Sequence, residues 1–249
     1  ISKGTASIAA GNSLSVDATA INNVNGTLSS KGDVTLKSKE DINNISNATD
    51  AGISAGGNVS MTSENGSIAS NGAAVNAGGD IDMKAEKGDI TLTASVGHGE
   101  DGKQKIHAHD DGVTAGGSIN MQAKTITSNA ADITAGQDVN MKASEGDVTF
   151  NDLHQIDSNR TINTEINGLS SYTTTDTKTV TGEAIGATVK AGGNVQIDAS
   201  KNVVIEGGSI DAKSGSINAA ENVEIKTSEN VSAEEHTTQS RQLDRKSTR

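Results

Sequence analysis

Residues 77–95 read AGGDIDMKAEKGDITLTAS, and the second half nearly repeats the first: GGDIDMKA, then KGDITLTA. In Asp80-Ile81-Asp82-Met83-Lys84-Ala85 the apolar Ile81, Met83 and Ala85 alternate with charged neighbours. A period of two is strand geometry, because successive side chains on an extended backbone point to opposite faces. The stretch therefore predicts two short strands, each apolar on one face, joined through Lys-Gly.

The same unit, A-G-x-x-φ-x-φ-x-A with φ apolar, recurs along the chain. It appears as AGGNVSMTS from Ala55, AGGSINMQA from Ala115, AGQDVNMKA from Ala135, AGGNVQIDA from Ala191 and, more loosely, AGNSLSVDA from Ala10. Half-copies such as KGDVTLKS from Lys31, EGDVTF from Glu145 and ENVEIKTS from Glu221 fill the gaps. A fixed period near 20 residues is the signature of a stacked repeat. A short strand cannot bury its apolar face alone, whereas stacked copies share one continuous core. The reading is an all-β, parallel β-helix (β-solenoid) with about 20–22 residues per turn and projecting β-hairpin insertions. Residues 1–230 are read as a single shaft of eight to nine turns, roughly 40 Å long at the strand spacing. The Gly-Gly, Asn-Gly and Lys-Gly pairs are expected where tight turns need positive φ. Met61, Met83, Met121 and Met141 all occupy the seventh place of the unit, with Ile197 there in the last copy. They are read as a stacked core row, since Met fills irregular space, rather than as a thioether metal site.

Composition narrows the function. The 249 residues carry a formal charge of −12, which disfavours a phosphate backbone and hence nucleic acid as partner. No apolar run approaches the roughly 20 residues of a membrane helix, so the chain is not expected to span a membrane. Ile1 begins it without a basic, then apolar, leader, which is expected of an internal segment of something longer. Only Phe150 and Tyr172 are aromatic, and arginine occurs only at Arg160, Arg241, Arg245 and Arg249. A polysaccharide-active β-helix enzyme needs carboxylates with Arg or Lys in a groove, and sugar-stacking aromatics. That is the disfavoured alternative, and no enzyme activity, catalytic residue or cofactor is expected. The Gly-Gly-x-Gly-x-Asp pattern of calcium-binding solenoids also fails at Ile81.

Two stretches break the repeat. Residues 96–112, VGHGEDGKQKIHAHDDG, hold His98, His107 and His109 beside Asp110 and Asp111. In an extended segment His107 and His109 would share a face, and imidazole with carboxylate can hold Zn²⁺ or Ni²⁺. These three histidines are the metal candidates, against the plainer reading of a solvated loop. Residues 151–181 read as a hairpin with Thr-rich arms, Gln155–Ile166 and Ser171–Thr181, about Asn167-Gly168-Leu169. Arg160 and Tyr172 are its partner-binding candidates, Tyr172 alternatively packing the hairpin on the rod. The tail, 231–249, is locally basic at Arg241, Arg245, Lys246 and Arg249. It reads as the first arm of a further excursion or as a disordered segment.

AGGDIDMKAEKGDITLTAS, AGGNVQIDASKNVVIEGGSIDAKSGSINAAENVEIKTSEN and the polar tail behind them resemble the haemagglutinin repeats of filamentous haemagglutinin-type exoproteins. These are two-partner-secretion adhesins and include effectors of contact-dependent growth inhibition. The resemblance spans nearly the whole chain and implies a right-handed β-helical shaft in a secreted or surface-exposed bacterial protein. It also implies an outer-membrane transporter as partner during secretion and a virulence setting, and carries over no catalytic residue. The leading function is a shaft segment that extends binding or effector domains from the cell, with insertions contacting a cell-surface receptor, protein or glycan. The alternative is the receptor-binding region of a growth-inhibition effector.

Overall fold

The computed structural model describes residues 6–47, 51–167 and 171–242. Three parallel eight-stranded sheets build it, each coil giving one short strand to each sheet in turn. The first sheet runs from Ser7–Ala10 to Ser209–Asp211, the second from Leu14–Ala18 to Ser214–Ala219, and the third from Ile21–Val24 to Val223–Lys226. The chain is therefore a β-solenoid of eight complete coils among the described residues. At ~4.8 Å per coil the shaft is about 40 Å long.

Strict register puts like on like. Ile81 lies beside Val59 and Ile119, and Met83 beside Met61 and Met121. Met141 and Ile197 continue that row, and every member of it is buried. The third sheet adds Ile42, Ile68, Ile90, Ile126, Val148 and Val203, and the first adds Ile53, Val75, Val113, Ile133 and Val189. The core is thus three apolar stripes meeting along one axis, with Phe150 its one buried aromatic.

The Gly-Gly pairs of the repeat unit, at 56–57, 78–79, 116–117 and 192–193, correct the expectation of positive φ. They lie at the first corner, between the first and second sheets, and none of these four has a positive φ. Glycine is needed there because the coils approach too closely for a Cβ. A Cβ on Gly78 would sit 2.3 Å from the Gly56 carbonyl oxygen, and one on Gly116 would sit 2.3 Å from that of Gly78. The next residue staples the stack: Asn58 Oδ1 accepts the Asp80 N–H at 2.8 Å, and Asp80 Oδ1 accepts the Ser118 N–H at 2.7 Å. Left-handed backbone appears instead at the third corner, where Asn25, Gly72, Ala130 and Gly207 have φ of 52, 62, 52 and 60°.

The interior also holds a polar row. Asn23, Asn44 and Ser70 point inward from the third sheet while Val24 and Ile45 point out, 58% and 37% exposed. At the far end the last coil leaves Val223 and Ile225 exposed.

Candidate functional site

The first two corners of every coil close in two to four residues. The third corner, between the third and first sheets, carries every excursion. Between Ile90–Thr93 and Gly112–Ala115 it emits a short hairpin, Val96–His98 against Gln104–Ile106. Between Val148–Asn151 and Thr188–Ala191 it emits a long one, Leu153–Ile166 against Ser171–Ile185. After Val223–Lys226 it emits Val231–Gln242, which pairs antiparallel with Ser171–Ile185. The long hairpin and this last strand form a three-stranded ribbon.

Through Gln242 the tail is therefore an ordered strand; Arg245 and Lys246, with Arg249, lie outside the described residues, as do Gly168 and Leu169 of the expected turn. The returning arm of the long hairpin runs to Ile185, beyond position 181. Ile185 packs with Leu153 against a small cluster of Ala94, Ile106 and Ala130 that roots both hairpins.

The two hairpins are laced at their bases. The Ile106 N–H donates to Gln155 Oε1 at 3.0 Å, and the Ile156 N–H donates to Gln104 Oε1 at 2.7 Å. Lys103 Nζ lies 2.6 Å from Asp157 Oδ2. Beyond Ser158 the first arm is exposed on both faces. Cross-strand register assigns one face of the ribbon to Thr173, Thr175, Thr177, Thr179 and Thr181, flanked by Ser232, Glu234, His236 and Thr238. The opposite face carries Ile162 and Ile166, 58% and 81% exposed.

The three candidate histidines are not brought together. His107 has a φ of 57°, so its segment is not the extended strand that would give the two rings a common face. The His107 Nδ1 lies 2.8 Å from Asp111 Oδ1. The His109 Nε2 donates to the Gly72 carbonyl at 2.7 Å, docking the segment onto the shaft. His98 is on the outer strand of the short hairpin, opposite Gln104. Among the described residues no three His, Cys, Asp or Glu side chains are grouped to hold a metal ion.

Arg160 faces Lys178 in the ladder but reaches diagonally to Asp176. Its Nε is 2.9 Å from Oδ1 and its second terminal nitrogen 2.6 Å from Oδ2. The Arg160 hydrogen bonds hold the Asp176 carboxyl below the usual carboxylate range. Tyr172 sits at the far end of the ribbon, between Ile166 and Arg241.

A family model described as Hemagglutinin repeat matches residues 43–127 and 164–247, together more than half of the chain. The chain belongs to the haemagglutinin-repeat family. No curated protein and no solved structure matches it. The family is one of structural adhesin repeats, and the solenoid fits a shaft segment of an adhesin.

In this haemagglutinin repeat the excursion corner has two electrostatic layers. At the root, the hydrogen bond that His107 donates to Asp111 raises the pKa of His107 against the opposing effect of its partial burial. Burial works against the Asp111 carboxylate, yet hydrogen bonds from His107 and Ser95 outweigh it and hold the carboxyl low. Farther out the ribbon is amide- and hydroxyl-rich. What sequence reading missed is the pairing of Val231–Gln242. The tail reads as the first arm of a further excursion or as a disordered segment, and nothing in its sequence names the strand it pairs with. No helix among the described residues is long and apolar enough to cross a membrane.

Proposed function

We infer that the chain is a shaft segment of a secreted or surface-exposed bacterial adhesin, delivered through the outer-membrane transporter of its parent exoprotein. Its solenoid holds the ribbon at a fixed height on one edge, and the ribbon contacts a receptor on a neighbouring cell. One observation carries this reading: both hairpins and the C-terminal strand leave the same corner, while the other two corners stay closed. Insertions gathered on one face of a solenoid commonly form its binding face, and conserving the shaft while varying loops separates spacing from recognition. Arg160 and Tyr172 lie on that ribbon as its contact candidates.

The test replaces residues 159–179 by Asn-Gly, which leaves the laced base of the hairpin intact. Binding of purified protein to whole cells and to a glycan array is then compared with the unaltered chain. Lost binding with an unchanged strand spectrum in circular dichroism is the expected result. Binding that survives the replacement would remove the ribbon from recognition.

A further inference from the structure

The outer face of the second sheet carries a groove that no excursion reaches. Both corners that bound this sheet close within four residues, and every excursion leaves the third corner, on the far side of the shaft. The groove crosses five successive strands, from Val59–Ser63 to Asn194–Ala199, with further coils stacked at both of its ends. At ~4.8 Å per coil it is about 20 Å long. Its volume is about 420 Å³, within the range of ligand sites.

Two rows of side chains line it. Asp82, Asn120 and Asn140 stand in register in one row, and Lys84, Gln122 and Lys142 in the other. The first row is already ordered: Asn120 Nδ2 donates to Asp82 Oδ1 at 2.8 Å, and Asn140 Nδ2 to Asn120 Oδ1 at 2.9 Å. Within the described chain Asn140 Oδ1 accepts no hydrogen bond, and Gln122 and Lys142 enter no hydrogen bond or ion pair. Both of these are exposed and Asn140 is half-exposed. The carboxylates of Asp82 and Asp198 offset the ammonium groups of Lys84 and Lys142, so the lining is neutral in a chain of formal charge −12.

We propose that this groove binds a linear, uncharged glycan lying along the shaft axis, one pyranose ring to each coil. Spacing, chemistry and charge select that ligand. The rise per coil is close to the length of one ring in an extended β-1,4-linked chain, so successive rings meet successive coils. An extended peptide advances only ~3.3 Å per residue and falls out of step. Sugar hydroxyls both donate and accept, as do the carboxamides of the two rows. A polyanion would meet Asp82 and Asp198 in a chain that already repels it. No aromatic ring lines the groove, so binding rests on hydrogen bonds that are individually weak, and affinity grows with chain length until the groove is filled. Bound this way, the shaft lies along the polymer while the ribbon projects from the opposite side.

NMR titration of the whole chain tests this, with cellohexaose and chitohexaose as straight neutral chains, maltohexaose as a coiled one and heparin as a polyanion. At least one straight chain should shift the side-chain amides of Asn120, Gln122 and Asn140, and its disaccharide should bind about tenfold more weakly. Maltohexaose and heparin should leave those amides unmoved. Gln122→Ala with Lys142→Ala should weaken the straight chain about tenfold without altering the strand spectrum. Thr114→Ala, on the outer face of the first sheet, should change nothing. Replacing residues 159–179 by Asn-Gly should leave this binding intact, which separates the groove from the ribbon; binding lost with the ribbon would overturn the proposal. So would straight chains that move none of the three amides, maltohexaose or heparin that moves them equally, or a double variant that binds like the unaltered chain.

Discussion

Asn23 and Asn44 meet inside the coil stack, the Asn23 Nδ2 donating to Asn44 Oδ1 at 2.9 Å. Asn44 in turn donates to Ser70 Oγ at 3.1 Å and to the Ala74 carbonyl at 3.2 Å, and is fully buried. A buried amide is tolerated only while its partners are in place, since each orphaned donor or acceptor costs its desolvation. Asn44→Ala removes an acceptor from Asn23 and a donor from Ser70 and Ala74. It is expected to cost about 2–3 kcal/mol. Because each coil contacts chiefly its neighbours, the loss should be local. Hydrogen exchange is expected to quicken in the first three coils and to stay slow around Met121 and Met141. Uniform quickening or no change would show that the ladder is not what holds these coils.

The anchor of the short hairpin should depend on pH. The folded pKa of His107 is raised above its ordinary value by Asp111. Its contribution is therefore complete below about pH 6.5 and is lost as pH rises through the folded value. Asp111, held low in the fold, contributes fully above the ordinary carboxylate range, and its share is lost only as pH falls below that range. The hairpin amides of Val96–Ile106 should accordingly be best protected from about pH 4 to pH 6.5. Asp111→Asn should return the His107 titration, followed by NMR of the ring protons, toward its ordinary value. An unmoved titration would rule out the Asp111 contact as its cause.

Met83 is buried between Met61 and Met121 in the second sheet. Met83→Ala opens a cavity that neighbours held by ladder hydrogen bonds cannot fill, at an expected cost of about 2–4 kcal/mol. Met83→Leu keeps the volume and should cost less than about 1.5 kcal/mol. Denaturant unfolding of both variants measures the difference. Equal losses would mean that the row is set by shape rather than by buried volume.

The alternation Ile81-Asp82-Met83-Lys84-Ala85 made strands and core row legible, since one apolar frame fits it and the repeat copies that frame. Ile21-Asn22-Asn23-Val24 and Ile42-Asn43-Asn44-Ile45 are different. Either frame buries one apolar and one polar residue, so only stacking in register decides that the asparagines go inside. The conformation of the histidine segment was illegible for a related reason. Proximity in sequence assumed an extended strand, but His107 takes a left-handed conformation and each ring finds a partner set by the third dimension. Ribbon pairing is long-range, joining Tyr172 to Arg241, and polar strands exposed on both faces carry no mark of whom they pair with.

The Gly-Gly signature itself was legible, while its cause was not, and a paired substitution separates the two explanations. If the glycines served turn conformation, Ala at Gly11 and at Gly78 would be equally harmful. If they serve coil spacing, only a glycine lying over a neighbouring coil is needed. A Cβ on Gly11, in the first coil, meets nothing within 4 Å, whereas one on Gly78 meets the Gly56 carbonyl oxygen at 2.3 Å. That neighbour is backbone, held by the Gly78 N–H bond to the Ala55 carbonyl and the Gly79 N–H bond to Gly57, so it cannot swing aside. Gly78→Ala is expected to cost about 1–3 kcal/mol as an overpacked contact. Gly11→Ala should be neutral or stabilise by up to about 1 kcal/mol, because alanine narrows the unfolded ensemble. Urea unfolding of the two variants, with hydrogen exchange at the coils beside Gly78, gives the comparison. Equal destabilisation at both sites would return the signature to turn geometry.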